Sequence, residues 1–312
     1  MGQDSTRAFV IVKFRSVYVL LCLYSAVFCF GQSHTTPCAR CAEWNRPQKP
    51  FRIFGNTYYV GTHGLSSILI TSDHGHVLID GALAQSADQI AGSIQSLGFR
   101  VADVKLIVNS HVHYDHAGGI AELQRMSGAR VEASKWSAKV LSNGGIGKGD
   151  PQFAITIPIA PVVNVRTVRD GEQIRVGEIA ITAHLTPGHT PGGTTWTWKS
   201  CEGVICRNMV YADSLSPISS DGFRFSSSSD YPHALADFEK SFAFLETLPC
   251  DILITTHPEG SSLWDRLESR ERGVTPDPMV NVSACRDLAR QGRESLRNRL
   301  AEERTQRQHR SK

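Results

Sequence analysis

From Phe51 onward the apolar residues fall in short runs separated by turn-forming residues, a spacing that favours strands over long helices. Runs at Phe51 to Phe54, Thr57 to Gly61, Leu65 to Thr71 and His76 to Asp80, with Gly55-Asn56 and Asp73-His74-Gly75 between them, predict an antiparallel meander. A helical period follows from about Ser86 to Leu97, then a buried strand at Lys105 to Val108. A helix is predicted from about Gly118 to Met126, a strand near Arg130 to Glu132 and a helix near Lys135 to Leu141. Gly-rich Asn143 to Gly149 and an exposed loop from Asp150 to Pro161 break the pattern. The second half repeats the style, with strands near Val162 to Val165, Gln173 to Val176, Ile179 to Leu185, Thr194 to Lys199 and Asn208 to Ala212. A helix from about Ala234 to Thr247, a strand at Asp251 to Thr255, and helices near Leu263 to Arg270 and Ala284 to Glu303 close the chain. Strands followed by helices occur twice, which predicts an α/β protein of two packed sheets with helices outside.

Composition narrows this picture. A chain of 312 residues, 41% hydrophobic and 20% charged, can bury a full core, and one principal domain over residues 51–304 is expected. The formal charge is only +3. Much of the basic excess sits in Arg293, Arg297, Arg299, Arg304, Arg307, Arg310 and Lys312, the last of these in a basic tail (305–312) read as a solvated, fraying helix. No basic patch interleaved with aromatics occurs in the body of the chain, so a nucleic-acid partner is not expected.

The N-terminus carries Arg7, Lys13 and Arg15, then an apolar stretch from Val17 to Phe30, then Gly31, Gln32 and Ser33. That is the layout of a secretory signal, assigned to residues 1–31, with a polar lead-in over 32–50. The apolar stretch is short for a bilayer span of about 20 residues, so a periplasmic or secreted monomer without a stable membrane anchor is expected. Cysteine placement agrees. Of the 8 cysteines, Cys22 and Cys29 would leave with the signal. Cys201 and Cys206 flank a short turn in a hairpin-stapling arrangement, and Cys250 and Cys285 are placed to tie the last strand to the C-terminal helix. Cys38 and Cys41 form a lone Cys-x-x-Cys whose pairing the sequence leaves open.

Candidate chemistry concentrates where the strand Leu106-Ile107-Val108-Asn109 ends in His111-Val112-His113-Tyr114-Asp115-His116. A charged, His-rich run directly after a buried strand is hard to explain as core. His111 and His113, two apart in an extended loop, can point to one side, while Asp115 and His116 can aim at a second metal. A hydrolytic zinc site needs neutral imidazoles or carboxylates and an open position for water, and one loop cannot complete two tetrahedral sites. Further ligands are available at other strand ends: His189 in Thr186-Pro187-Gly188-His189-Thr190-Pro191-Gly192-Gly193, and His257 in Thr255-Thr256-His257-Pro258. A single histidine after a strand is ordinarily incidental; three such sites suggest one rim of a sheet pair.

The His-x-His-x-Asp-His run, the Pro-Gly-His turn and the late histidine resemble the metallo-β-lactamase superfamily from about Phe51 to Cys285. Thr186 to Trp198, Tyr211-Ala212-Asp213-Ser214-Leu215-Ser216, and Leu248-Pro249-Cys250-Asp251 through His257-Pro258 narrow the resemblance to subclass B3. The resemblance implies an αβ/βα four-layer sandwich and two Zn2+ per chain. His111, His113 and His189 would hold one ion, and Asp115, His116 and His257 the other. It further implies hydrolysis of penicillins, cephalosporins and carbapenems by metal-bound hydroxide without a covalent intermediate, and hence β-lactam resistance. Asp115 would orient the nucleophile, and Ser214 and Ser216 would contact the substrate carboxylate or its water. No Gly-x-Ser-x-Gly elbow surrounds either serine. The alternative on the same fold is a lactonase or thioesterase, because the metal loop alone does not choose the leaving group.

Other positions carry weaker expectations. Asp213 has two readings, a carboxylate bridging the metals as in thioesterase-like relatives, and an acid that orients the loop; the second is preferred. Asp80 resembles a family position that supports the metal loop. Some close relatives pair a cysteine of the Cys38 region with one near Tyr59 to Thr62, where this chain has His63. His63, His74, His76, His184 and His233 fit no ligand slot, with His184 the nearest to the site. The Asp150-Pro151-Gln152-Phe153 loop and Ser219 to Ser229 are read as pocket walls.

Overall fold

In the computed structural model, residues 1–2 and 38–310 are described. The segment read as a secretory signal lies outside the described residues. All elements below belong to the unit Thr36–Lys312.

A short helix α1 (Cys41–Trp44), which the sequence pattern does not predict, leads into the first sheet. That sheet contains β1 (Phe51–Phe54), β2 (Thr57–Tyr59), β3 (Ile68–Ile70), β4 (His76–Ile79), β5 (Val104–Val108), β6 (Arg130–Ser134) and β7 (Val165–Val168), hydrogen-bonded in chain order. Strands β1 to β4 are antiparallel, the expected meander. From β4 to β7 neighbours run parallel, because the helices between them carry the chain back to the end of the sheet at which each strand starts. Those helices are α2 (Ala87–Ser96), α3 (Tyr114–Ala117), α4 (Ile120–Ser127) and α5 (Lys135–Asn143). The strand predicted near Val162 to Val165 is displaced to β7, with Val162 buried in the outer core.

The second sheet has the order β12-β11-β10-β9-β8, built from β8 (Gln173–Val176), β9 (Ile179–Leu185), β10 (Thr194–Glu202), β11 (Ile205–Ala212) and β12 (Ile252–Thr255). Only β11 and β12 are parallel, joined through α6 (Ala234–Thr247). Helix α7 (Leu263–Glu271) and α8 (Ala284–Arg310) follow. Helix α8 runs through Arg310, past residue 304 where the sequence places the start of the basic tail.

Strand side chains alternate between faces, so the partition of the core reveals the layers. Val77, Ile79, Leu106 and Val108 of the first sheet share one core with Ile181, Trp196, Tyr211 and Ile254 of the second. Their neighbours Leu78 and Ile107 face outward and pack with Ile90 of α2, Leu123 of α4 and Leu141 of α5. On the opposite side Val210 and Leu253 pack with Phe238 and Phe242 of α6 and Leu296 of α8. Helix, sheet, sheet, helix is the expected αβ/βα order. Near-continuous apolar runs in β5 and β12 follow from burial on both faces.

Disulfides join Cys201 to Cys206 across the β10–β11 hairpin and Cys250 to Cys285 between the approach to β12 and α8. Cys38 is bonded to Cys41, the pairing the sequence left open. No helix among the described residues is long and apolar enough to cross a membrane.

Candidate metal centre

The candidate residues meet at one rim. The His111 to His116 run follows β5, Asp213 to Ser216 follow β11, His257 follows β12, and His189 sits in the β9–β10 turn. The loop after β5 is held from below by Asp80, whose buried carboxylate accepts from Ser110 N (2.7 Å), Ser110 Oγ (2.6 Å), Asn109 Nδ2 (3.1 Å) and Tyr211 Oη (2.8 Å). Burial pushes the Asp80 carboxyl up from its ordinary value, against these hydrogen bonds. From the second sheet, Trp196 Nε1 donates to Asn109 O (3.1 Å) and Thr194 N to Ser110 O (2.8 Å). Both sheets therefore fix where His111 begins.

The Thr186 to Gly193 turn needs its glycines. Gly188 has φ +142°, and a Cβ there would lie 2.6 Å from Phe238 Cδ1. At Gly193 a Cβ would lie 2.3 Å from Asp213 Oδ2 and 2.5 Å from Thr186 O. Larger residues would push His189 away from its partners.

Two groups of potential ligand atoms result. One consists of His111, His113 and His189 and the other of Asp115, His116 and His257, with the atoms of each group within 4.8 Å of one another. All are buried except His257, which is partly exposed. In the first group each imidazole meets a protein acceptor, and His189 Nε2 also lies 3.4 Å from Gln152 Nε2. His111 Nδ1 donates to Asp213 Oδ1 (2.7 Å), His113 Nε2 to Asp150 Oδ1 (3.0 Å) and His189 Nδ1 to the Ser216 carbonyl (2.7 Å). In the second, His257 Nδ1 donates to Gly64 O (3.2 Å), while Asp115 Oδ2 lies 3.3 Å from His116 Nε2 and 3.4 Å from His257 Nε2.

These contacts test whether a cation fits. Histidine ligands characteristically donate one N–H to a protein acceptor and offer the other nitrogen to the metal. The buried nitrogen His111 Nε2, in the first group, has no hydrogen-bond partner, which is costly unless something positive meets it. Burial, followed by the charge of neighbouring histidines, holds His111 well below its ordinary pKa. His189 is pushed down to about 3, mainly by burial. His111 and His189, held neutral, together with further imidazoles and the Asp115 carboxylate, make a donor set suited to zinc. Burial opposes ionisation of Asp115, but His116 and His257 together hold its carboxyl well below the usual range.

Asp213 lies against His111, where an acid orienting the loop is expected, and burial pushes its carboxyl well above the ordinary value. Ser214 Oγ meets Thr256 Oγ1 at 2.9 Å. Ser214, Ser216 and His257 line a cavity of 230 Å³ that reaches Gln291 and Ser295 of α8. A larger cavity of 630 Å³ on the outer face is lined by Lys135, Trp136, Lys139, Pro187 and Pro191 and contains no member of either ligand group. His63, His74, His76 and His184 sit outside both groups; His184 Nε2 contacts Thr197 Oγ1 (2.9 Å) and its ring packs on Phe244. Two contacts were missed by the sequence reading. Asp150, read as pocket wall, touches His113, and Trp44 of α1 packs its ring 5.3 Å from that of His257.

A two-sheet sandwich carrying two His-rich ligand groups on one rim defines a metallohydrolase class. The metallo-beta-lactamase superfamily model matches residues 60–257, and the chain belongs to that superfamily. Among solved structures, Rm3 metallo-beta-lactamase is 55% identical, with TM-score 0.84 over 86% of this chain and 99% of that one. MEM-A1, a subclass B3 metallo-beta-lactamase from a soil metagenome library, is 50% identical with TM-score 0.82, covering 84% of this chain and 99% of its own. SMB-1 metallo-beta-lactamase bound to 2-mercaptoethanesulfonate is 44% identical, with TM-score 0.80 over 83% and 99%. Curated relatives are more distant. A hydroxyacylglutathione hydrolase of Bradyrhizobium sp. (strain ORS 278) is 28% identical over 41% of this chain, which spans only 42% of that relative's length. An N-acyl homoserine lactonase of Agrobacterium fabrum is 28% identical over 40% of this chain and 55% of its own.

Proposed function

We propose that this chain is an exported, monomeric two-zinc β-lactam hydrolase acting on penicillins, cephalosporins and carbapenems, and that it confers β-lactam resistance. The observation that carries the reading is the pair of complete ligand groups on one rim, beside the Ser214–Ser216 segment. Likeness to the Rm3 enzyme along nearly its whole length supports a β-lactam over a thioester or lactone, whose hydrolases match over less than half of this chain.

His111, His113 and His189 would hold one ion and Asp115, His116 and His257 the other. Bound zinc supplies Lewis acidity and lowers the pKa of water towards about 7, so that no protein nucleophile is required. Asp115, ionised between His116 and His257, orients the attacking water by accepting one of its protons in a hydrogen bond. Overall, the hydroxyl of water adds to the lactam carbonyl carbon, the C–N bond breaks, and the proton that the water gives up ends on the ring nitrogen. Ser214, braced by Thr256, and Ser216 position the substrate carboxylate.

Ser216 is disfavoured as a nucleophile by geometry. His189 Nδ1 must carry a proton to donate to the Ser216 carbonyl, so it cannot take one from Ser216 Oγ at 3.3 Å. The signal layout of residues 1–31 and the paired cysteines support export. The test is dialysis against a strong chelator followed by assay of a carbapenem, a lactone and a thioester. Loss of carbapenem turnover, restored by zinc, is expected. Activity surviving complete metal removal overturns the metal assignment; turnover of the lactone or thioester alone overturns the substrate.

A further inference from the structure

We propose that Asp150 is a positioning residue for the His111, His113, His189 site, and that it couples zinc affinity there to the order of the loop walling the pocket. The inference rests on the two-zinc reading above. Asp150 is 1% exposed, yet it belongs to an irregular segment between α5 and β7. Its Oδ1 accepts from His113 Nε2 at 3.0 Å and from the backbone N of Gln152 at 2.8 Å. A carboxylate oxygen here can only accept, so the proton of His113 is fixed on Nε2 and Nδ1 keeps its lone pair. That is the tautomer a metal ligand requires.

The other oxygen, Asp150 Oδ2, is buried and has no hydrogen-bond partner. An anion half-satisfied in this way is costly unless positive charge lies close by. A cation held by His113 supplies it one imidazole away. Metal binding and the burial of Asp150 therefore favour each other.

The same residue holds the wall in place. Asp150 N donates to Gly147 O (2.9 Å) and Phe153 N to Asp150 O (3.1 Å). Pro151 O accepts from Ser220 N (2.9 Å) and Ser220 Oγ (3.0 Å), which ties this wall to the facing one. Beyond these anchors the exposed apolar side chains of Phe153 and Ile155 project from the loop. Zinc at the first site would thus order the surface a substrate meets. By linkage, loosening that surface would weaken zinc.

The experiment titrates zinc alone into the purified full chain and its Asp150→Ala and Asp150→Asn variants, in competition with a chromogenic chelator. Parallel samples, with and without zinc, are cut by a protease that reads the 147–156 loop. The unmutated protein should bind two zinc ions and protect the loop when loaded. Asp150→Ala should lose about 10- to 100-fold in affinity at one site only, and its loop should be cut equally with and without zinc. Asp150→Asn retains an accepting oxygen, so its loss should be smaller, and it serves where the alanine variant does not fold. Wild-type zinc affinity in every variant that folds overturns this inference alone. If the unmutated protein binds no zinc, the two-zinc reading falls and takes the inference with it.

Discussion

Replacing Asp80 should separate the support of the metal loop from its chemistry. Four donor contacts end on this carboxylate, but they are not equally stranded when it is removed. Tyr211 Oη keeps the Ser66 carbonyl at 3.1 Å, and Asn109 Nδ2 keeps the His111 carbonyl at 2.7 Å. Ser110 N–H has no such alternative, and an orphaned buried donor costs about 1–3 kcal/mol. Asp80 also has φ 59°; aspartate and asparagine tolerate this left-handed backbone, whereas alanine there adds about 1–2 kcal/mol. Asp80→Ala should therefore cost about 3–5 kcal/mol, including the small void. Asp80→Asn keeps the backbone preference and an oxygen facing Ser110 N, and should cost about 1–2 kcal/mol. The assay is urea denaturation of the metal-free protein with its disulfides intact, which isolates the fold from zinc affinity. At about 2 °C per kcal/mol, the alanine variant should also melt about 6–10 °C lower. A loss below about 1 kcal/mol for Asp80→Ala, or equal losses for both variants, would refute this account of the loop.

The disulfides should differ in worth. With loops of 35 and 5 residues in sequence, chain-entropy reasoning assigns about 4 kcal/mol to Cys250–Cys285 and about 2 kcal/mol to Cys201–Cys206. Paired Cys→Ala variants in denaturant titration should keep that order, and a reversed order would count against the entropic account. Glu303 of α8 accepts from Phe225 N (2.9 Å), Ser226 N (3.0 Å) and Arg299 Nε (3.0 Å), clamping the 223–226 segment. Burial opposes its ionisation, but the Ser226 and Phe225 hydrogen bonds and the Arg299 charge leave its carboxyl below the usual glutamate value. With the folded pKa depressed, the stabilisation is complete above the unfolded value of about 4.3 and fades as pH falls through the folded one. Glu303→Gln should be less stable at pH 7 and lose less on acidification to pH 3; parallel stability curves for the two proteins would contradict this.

What could be read along the chain divides by range of interaction. Val77 to Ile79, Leu106 to Val108 and Ile252 to Ile254 announced buried strands because both of their faces are apolar, a local property. The ligands were visible for a similar reason: His111 to His116 are contiguous, and His189 and His257 each follow a strand. Of the acids that meet the imidazoles, Asp213 was legible as an orienting acid and Asp150 only as a pocket wall. Asp150 lies 37 residues from His113, and Asp213 lies 102 from His111. Nothing beside Asp150 in the sequence distinguishes an acid bound to an imidazole from one facing water. Helix α1 escaped for a different reason, since four residues leave no periodicity to detect. Its Trp44 nevertheless packs on His257, and the Trp44 carbonyl accepts from Thr62 Oγ1 at 2.6 Å.

The acceptors that meet the ligand imidazoles share one physical role. A strand end can present a histidine, but an imidazole on a loop rotates about two bonds and exchanges its proton between two nitrogens. Choosing one orientation and one tautomer requires an acceptor from elsewhere in the chain. Asp213 arrives after β11, Asp150 from the segment after α5, the Ser216 carbonyl from beyond β11 and the Gly64 carbonyl from between β2 and β3. Those acceptors come from both sheets, so the ligand geometry is assembled only once the two halves have packed. The same packing buries Trp196 against Asn109 and leaves His111 Nε2 and His116 Nδ1 without protein partners. The ligand residues are thus a local feature of the sequence, while their readiness to hold metal is a property of the assembled sandwich.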